Sequence, residues 1–142
     1  MDTEIINQNF LTNPNATPIQ RFAARWLDRL FAIVGGIIFG GVSWPFLDFS
    51  AIFLGILFCI GYLFLKDAFV FLNGQGLGKK IVGIRVVDRN TGQSITNKYS
   101  KSVLREIPQW IPLLNIVDAL IIFDNGYRIG DNMANTRVVQ LT

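Results

Sequence analysis

Arg21, Arg25 and Asp28 stand just before and just inside a long apolar run, in the stretch QRFAARWLDRLF. Wound as a helix at about 100° per residue, they fall within about 60° of one another, on a face that Ala32 and Gly35 continue. A carboxylate facing hydrocarbon is costly unless it is paired, protonated or wetted. The set therefore offers two kinds of chemistry. One is a fixed ion pair with the arginines one and two turns before Asp28; the other is exchange of a proton for a cation, if water reaches the carboxylate. A close guanidinium keeps an aspartate ionised, which favours the fixed pair.

The elements that position these residues can be read in order. Thr17, Pro18 and Gln20 form a helix start, with a hydroxyl cap, proline at the first position and an amide three residues after the cap. This predicts a helix over residues 18–44, stopped by Pro45, behind an N-terminal tail of residues 1–17. Leu30 to Trp44 covers about 22 Å, short of a bilayer core of about 30 Å, so a boundary at Trp44 puts Asp28 just inside the opposite one. Aspartate is too short to snorkel out. Gly36 and Gly40 have the GxxxG spacing that permits close helix approach. After the turn PFLDFS, which holds no basic residue, a second helix is expected over 51–72. Asp28 precedes Trp44 by the same number of residues by which Asp67 follows Ala51. An antiparallel hairpin would thus gather Arg21, Arg25, Asp28, Lys66 and Asp67 at one depth as an ionic cluster, unless Lys66 and Asp67 simply mark a wet helix end.

Beyond the hairpin, GQGLGKK has the wrong spacing for a phosphate-binding loop and lacks its hydroxyl residue. It reads as part of a basic loop, 73–96, with a strand at 84–87 and DRNTGQ as the turn after it. Residues 97–107 read as an amphipathic interfacial helix. An apolar helix over 109–123 follows, interrupted by Pro112 and Asp118, and then a tail over 124–142. That apolar segment either spans, leaving the tail outside, or re-enters, returning the tail to the cytoplasmic side. The likeness between GIRVVD and ANTRVVQL, which would pair as strands, favours re-entry.

Composition sets the medium. The chain is 51% hydrophobic and 16% charged, and its mean hydropathy of +0.39 points to a lipid bilayer as solvent. Ten of the 13 basic residues lie at Arg21, Arg25 and Arg29 or between Lys79 and Arg105, which by the positive-inside rule places the N-terminus and the basic loop in the cytoplasm. Such charge orients a membrane protein and does not read as a nucleic-acid footprint. With no histidine and one cysteine, Cys59, no disulfide, zinc or haem site is expected, and no cofactor. No nucleophile stands beside a base, so the expectation is a protein that is not an enzyme.

RWLDRLF after an arginine, then GQGLGKKIVGIRVVD, then YRIGDNMANTRVV together resemble the RDD family of small, mainly bacterial membrane proteins, named for an arginine and two aspartates. The likeness runs over about residues 18–140. In it, Arg21 matches the family arginine, Asp28 the first aspartate and Asp131 the second. Asn135 stands where the family usually has glycine, and Arg25 adds a charge. The resemblance implies an integral membrane protein for which transport, including cation/proton antiport, has been proposed in some members.

The expected fold is thus α-helical, a transmembrane helix hairpin with a third short or re-entrant apolar helix, an interfacial helix and a small cytoplasmic β pairing. It sits in the inner membrane as a multi-pass protein. Asp131 serves either as turn chemistry or, if the tail folds back under the hairpin, as a partner of Arg21 or Arg25. Two functions follow. A transporter or antiporter subunit would move monovalent cations and protons through an aqueous cavity at Asp28, as a homo-oligomer; an accessory module would bind a membrane partner protein and use the charges structurally.

Overall fold

Thr17 opens the first helix through reciprocal caps: its hydroxyl accepts from the Gln20 N–H, and the Gln20 side chain accepts from the Thr17 N–H. The computed structural model describes residues 10–72, 74–125 and 128–141, so residues 1–9 of the expected tail lie outside the described residues. Helix α1 (Pro18–Leu47) runs three residues past the expected stop. Pro45 falls in its last turn, where it forfeits only one bond, and the Asp48 N–H still closes on the Trp44 carbonyl at 3.0 Å. At 30 residues α1 is about 45 Å long. Among the described residues it is the one helix long and apolar enough to cross a membrane, and only 11% of its most apolar window is buried.

Helix α2 (Ser50–Leu65) ends seven residues short of the expected 72. Lys66 and Asp67 turn inward to ion pairs, the Ala68 N–H closes on Leu65, and the apolar residues beyond form a separate 3-10 turn, Val70–Leu72. Apolar periodicity held no stop signal there, because the hydrophobic run continues after the two charges.

α1 and α2 pack antiparallel along a seam of small residues. Gly36 faces Gly55, Gly40 faces Ala51, and the Cys59 thiol donates to the Ala32 carbonyl at 3.0 Å. A Cβ at Gly36 would collide with Cys59 Sγ and approach the Gly55 carbonyl oxygen to 2.8 Å.

The remaining chain gathers at one end of this pair. A six-residue helix absent from the sequence reading, α3 (Leu77–Val82), packs against α1 and stops at Gly83, whose φ of 72° is the left-handed cap. Strand β1 (Ile84–Asp88) follows, then the DRNTGQ turn, in which the Asp88 carboxylate accepts the Asn90 and Thr91 N–H groups. Helix α4 (Tyr99–Trp110) begins two residues after the expected 97 and ends three after 107. Pro112 forces Ile111 into extended backbone, so α5 (Pro112–Asn125) starts at 112 and not 109. The tail then supplies α6 (Ile129–Met133) and β2 (Thr136–Gln140). β2 pairs antiparallel with β1, Val86 opposite Val138, so the tail and the basic loop share one end of the molecule. Ala16, Ala24, Ile84, Val86, Ile95 and Val138 form the core beneath them.

The seam generates a first test. Gly36→Leu overpacks it and lowers stability by about 1–3 kcal/mol, whereas Gly41→Ala, with no atom within 4 Å of the added Cβ, causes no loss. Thermal unfolding of the two variants in detergent checks this, and equal losses would remove the close seam.

Candidate functional site

The α1 face that carries Arg21, Ala24, Asp28 and Ala32 is its buried stripe. Asp28 is 1% exposed, and the group that meets it is the turn into α3. There the Gly78 N–H donates to Asp28 Oδ1 at 2.7 Å and Lys79 Nζ donates to Oδ2 at 3.1 Å. Backbone comes this close because glycines stand at 76 and 78: a Cβ at Gly76 would lie 2.5 Å from Asp28 Oδ1, and one at Gly78 would strike the Ala24 carbonyl.

From Lys79 the contacts continue through the protein. Its ammonium also reaches Asp67 Oδ1 at 2.7 Å, which the Gly76 N–H approaches at 3.2 Å. Asp67 Oδ2 accepts Arg105 Nη1 at 2.8 Å. The same guanidinium donates from Nε to Asp131 Oδ1 at 2.9 Å, and Asp131 Oδ2 accepts Arg21 Nη1 at 3.3 Å. Arg21 further donates to the Ala16 and Val138 carbonyls. The series Asp28, Lys79, Asp67, Arg105, Asp131, Arg21 therefore begins and ends on α1: a charge-neutral ring of three acids and three cations whose ends are joined by the helix itself. Two pairs flank it. Lys66 binds Glu106, and Arg25 binds Asp118 at 3.2 Å, whose other oxygen accepts the Ile129 N–H that opens α6.

Burial alone would raise the Asp67 carboxyl, but Lys79, Arg105 and Lys66 outweigh it and hold Asp67 far below the usual carboxylate range. For Asp131 the same burial is overcome by Arg105, Arg128 and Arg21, and for Glu106 by Lys66 and Lys79. Burial would lower Lys79, yet Asp28 and Asp67 hold its ammonium above the ordinary lysine value. Beside the ring opens a cavity of about 280 Å³ that reaches Asp28, Lys79 and Glu106. Among the described residues no group of three or more His, Cys, Asp or Glu converges as metal ligands.

Several expectations change. Asp28 is held by an ammonium, Lys79, and not by Arg21 or Arg25, because α3 inserts between α1 and the loop. Lys66 and Asp67 are no wet helix end; both are buried, and their partners come from α3 and α4 and not from the α1 arginines. Asp131 does lie against Arg21, in the first turn of α6. Lys79, Arg105, Glu106 and Asp118 were missed as site residues. Lys79 and Arg105 read as loop and surface cations under the positive-inside rule; the signal available for Lys79 was its place directly after two glycines spaced for backbone approach.

Two outcomes follow from the ring. Asp67, Asp131 and Glu106 have depressed folded values, so their stabilisation is fully present above the ordinary carboxylate range near pH 4 and is lost as pH falls through the folded values. The melting temperature in detergent should be level from neutrality to about pH 4 and drop below it. Arg105→Met leaves two buried carboxylates with one bonded cation each and costs about 3–5 kcal/mol, and adding Asp131→Asn restores part of that. A flat acid limb, or additive losses in the double variant, would mean the ring does not hold the fold.

Compared with known protein families, residues 15–134 match the RDD family, a span that contains the whole ring from Arg21 to Asp131. No curated protein and no solved structure matches the chain. With most of its length matched, and with Arg21, Asp28 and Asp131 joined in one series of ion pairs, the chain belongs to the RDD family.

Proposed function

We propose that the chain is a multi-pass inner-membrane protein with a cytoplasmic N-terminus, a non-catalytic accessory module whose ring of ion pairs is a fixed latch at the inner end of a transmembrane hairpin. The membrane reading is supported by α1, whose apolar side chains point outward: Ile37 is 69% exposed and Phe46 84%. A water-soluble fold would bury that stripe. α2 is about 24 Å long, shorter than a bilayer core of about 30 Å, which local thinning or a protein neighbour accommodates. The charged cap lies at the end where Arg21, Arg25, Lys79 and Arg105 collect, the arrangement expected of a cytoplasmic face.

One observation carries the latch: each carboxylate of the ring is bonded to at least one buried cation. A proton/cation exchanger needs a carboxylate that takes up a proton near neutral pH, and Asp67 and Asp131, held low by their cations, do not. The cavity that reaches Asp28 favours the second reading, a transporter or antiporter subunit for monovalent cations and protons, built as an oligomer because two spans make a thin wall. The partner of a latched module is a second copy or another membrane protein, received on the exposed apolar faces.

Proteoliposomes with an internal pH-sensitive dye separate the readings. The natural chain and Asp28→Asn are both expected to show no cation-driven proton flux; flux in the natural chain that vanishes in the variant would overturn the latch in favour of transport. Labelling of Gln140→Cys checks the orientation, the expected reaction being from the cytoplasmic side only.

A further inference from the structure

Among the described residues, seven cationic side chains line the cavity beside the ring, Arg21, Arg25 and Arg29 from α1 with Lys66, Lys79, Arg105 and Arg128 around them, against the acids Asp28 and Glu106. The acids behind this wall are Asp67, Asp118 and Asp131. Among the described side chains, seven cations less five acids leave two positive charges over. The leftover pair is identifiable, since the ring and its two flanking pairs are neutral and, among the described side chains, Arg29 and Arg128 make no ion pair. Arg128 is more than nine-tenths buried, its Nε has no hydrogen-bond partner, and its one bond is a 3.5 Å contact to the Arg21 carbonyl. Arg25 lies close enough to Arg29 and Arg128 for the three guanidinium charges to repel. Arg128 is buried and Arg29 half-buried, and two guanidinium charges without an ion pair on one cavity wall favour an anion there.

The shape adds a second observation. At Ile33 and Cys59 the cavity meets an apolar groove of about 500 Å³ that follows the α1–α2 seam through Ile37, Gly41 and Trp44. From Ile33 to Pro45 the groove follows about 18 Å of helix, close to the depth of one leaflet, about 15 Å. A polar, positive chamber continuous with an apolar channel of that length matches an amphiphile with one anionic end. We propose that this composite cavity binds an anionic phospholipid, its phosphate between Arg29 and Arg128 and one acyl chain in the groove beside Gly41. The site rests on the reading of the chain as a membrane protein, and it gives the latch a lipid-dependent stability.

The test uses the full chain, purified in detergent, delipidated and melted with added phosphatidylglycerol, phosphatidylcholine or inorganic phosphate. Phosphatidylglycerol should raise the melting temperature by about 5 °C or more, and the other two by less than about 1 °C. Arg128→Gln should lose the response. Since that variant alters a buried charge, Gly41→Leu gives an independent check: space is open around a Cβ there, so the leucine fills the groove without touching the seam and should also abolish the response. Equal stabilisation by phosphatidylcholine, or by inorganic phosphate, overturns the proposal, as does a response that survives in Gly41→Leu. A dimer that carries no lipid phosphorus and falls to monomer in Gly41→Leu overturns it too, by assigning the groove to a second copy. Carbonate washing of native membranes separates the two readings: release of the chain would fail the membrane assignment itself, whereas retention with no lipid selectivity fails only the site.

Discussion

One ammonium group decides how this protein is put together. Lys79 Nζ lies between Asp28 of α1 and Asp67, which follows α2, and bonds both. The buried ammonium is compensated by the two carboxylates, and it is the one cation bonded to Asp28. Removal of Lys79 would leave Asp28 without its cation and Asp67 with Arg105 alone, so the docking of segment 76–79 under α1 secures this end of the helix pair. The glycines at 76 and 78 are the steric condition for this docking, since they bring N–H groups, and not only the lysine, to both carboxylates.

The ring extends the same logic to the rest of the chain. Arg105 serves Asp67 and Asp131 with separate edges of its guanidinium, a task its planar fork suits and a lysine could not reproduce. Through it α4 and α6 are tied to the hairpin end, and through Asp131 and Arg21 the tail returns to α1. Hydrophobic burial contributes little to this closure: the core under β1 and β2 is small, and most large apolar side chains of α1 and α2 face outward. In such a fold the charges do what a core does in a soluble domain, tying four separate segments to one helix through a continuous series of buried pairs.

This explains which features were legible in the sequence. Arg21 and Asp28 sit two turns apart, so their shared face follows from helix geometry, and the cap at Thr17 follows from local hydrogen bonding. The pairing of GIRVVD with TRVV was readable because alternating β-branched residues recur in both. The partners of the acids were not readable. α3 has six residues, too few for any period to register, and its lysine looks like every other basic residue in a loop assigned to the cytoplasm. Likewise the end of α2 at Leu65 depends on where Lys66 and Asp67 find their counterions, a tertiary fact with no local signature.

The division of charge gives the last step. Ring and flanking pairs are neutral, so the latch needs nothing from outside, and the two remaining guanidinium groups are not required to balance it. They are nevertheless held in one chamber, one of them buried, where mutual repulsion with Arg25 works against the fold. Arg128 also helps to hold Asp131 ionised, whereas the latch draws nothing from a cation at 29. A cation at each position beside an apolar channel is what the proposed site for an anion with a hydrocarbon end requires, and on that proposal the ring of ion pairs is the frame on which the two cations are carried.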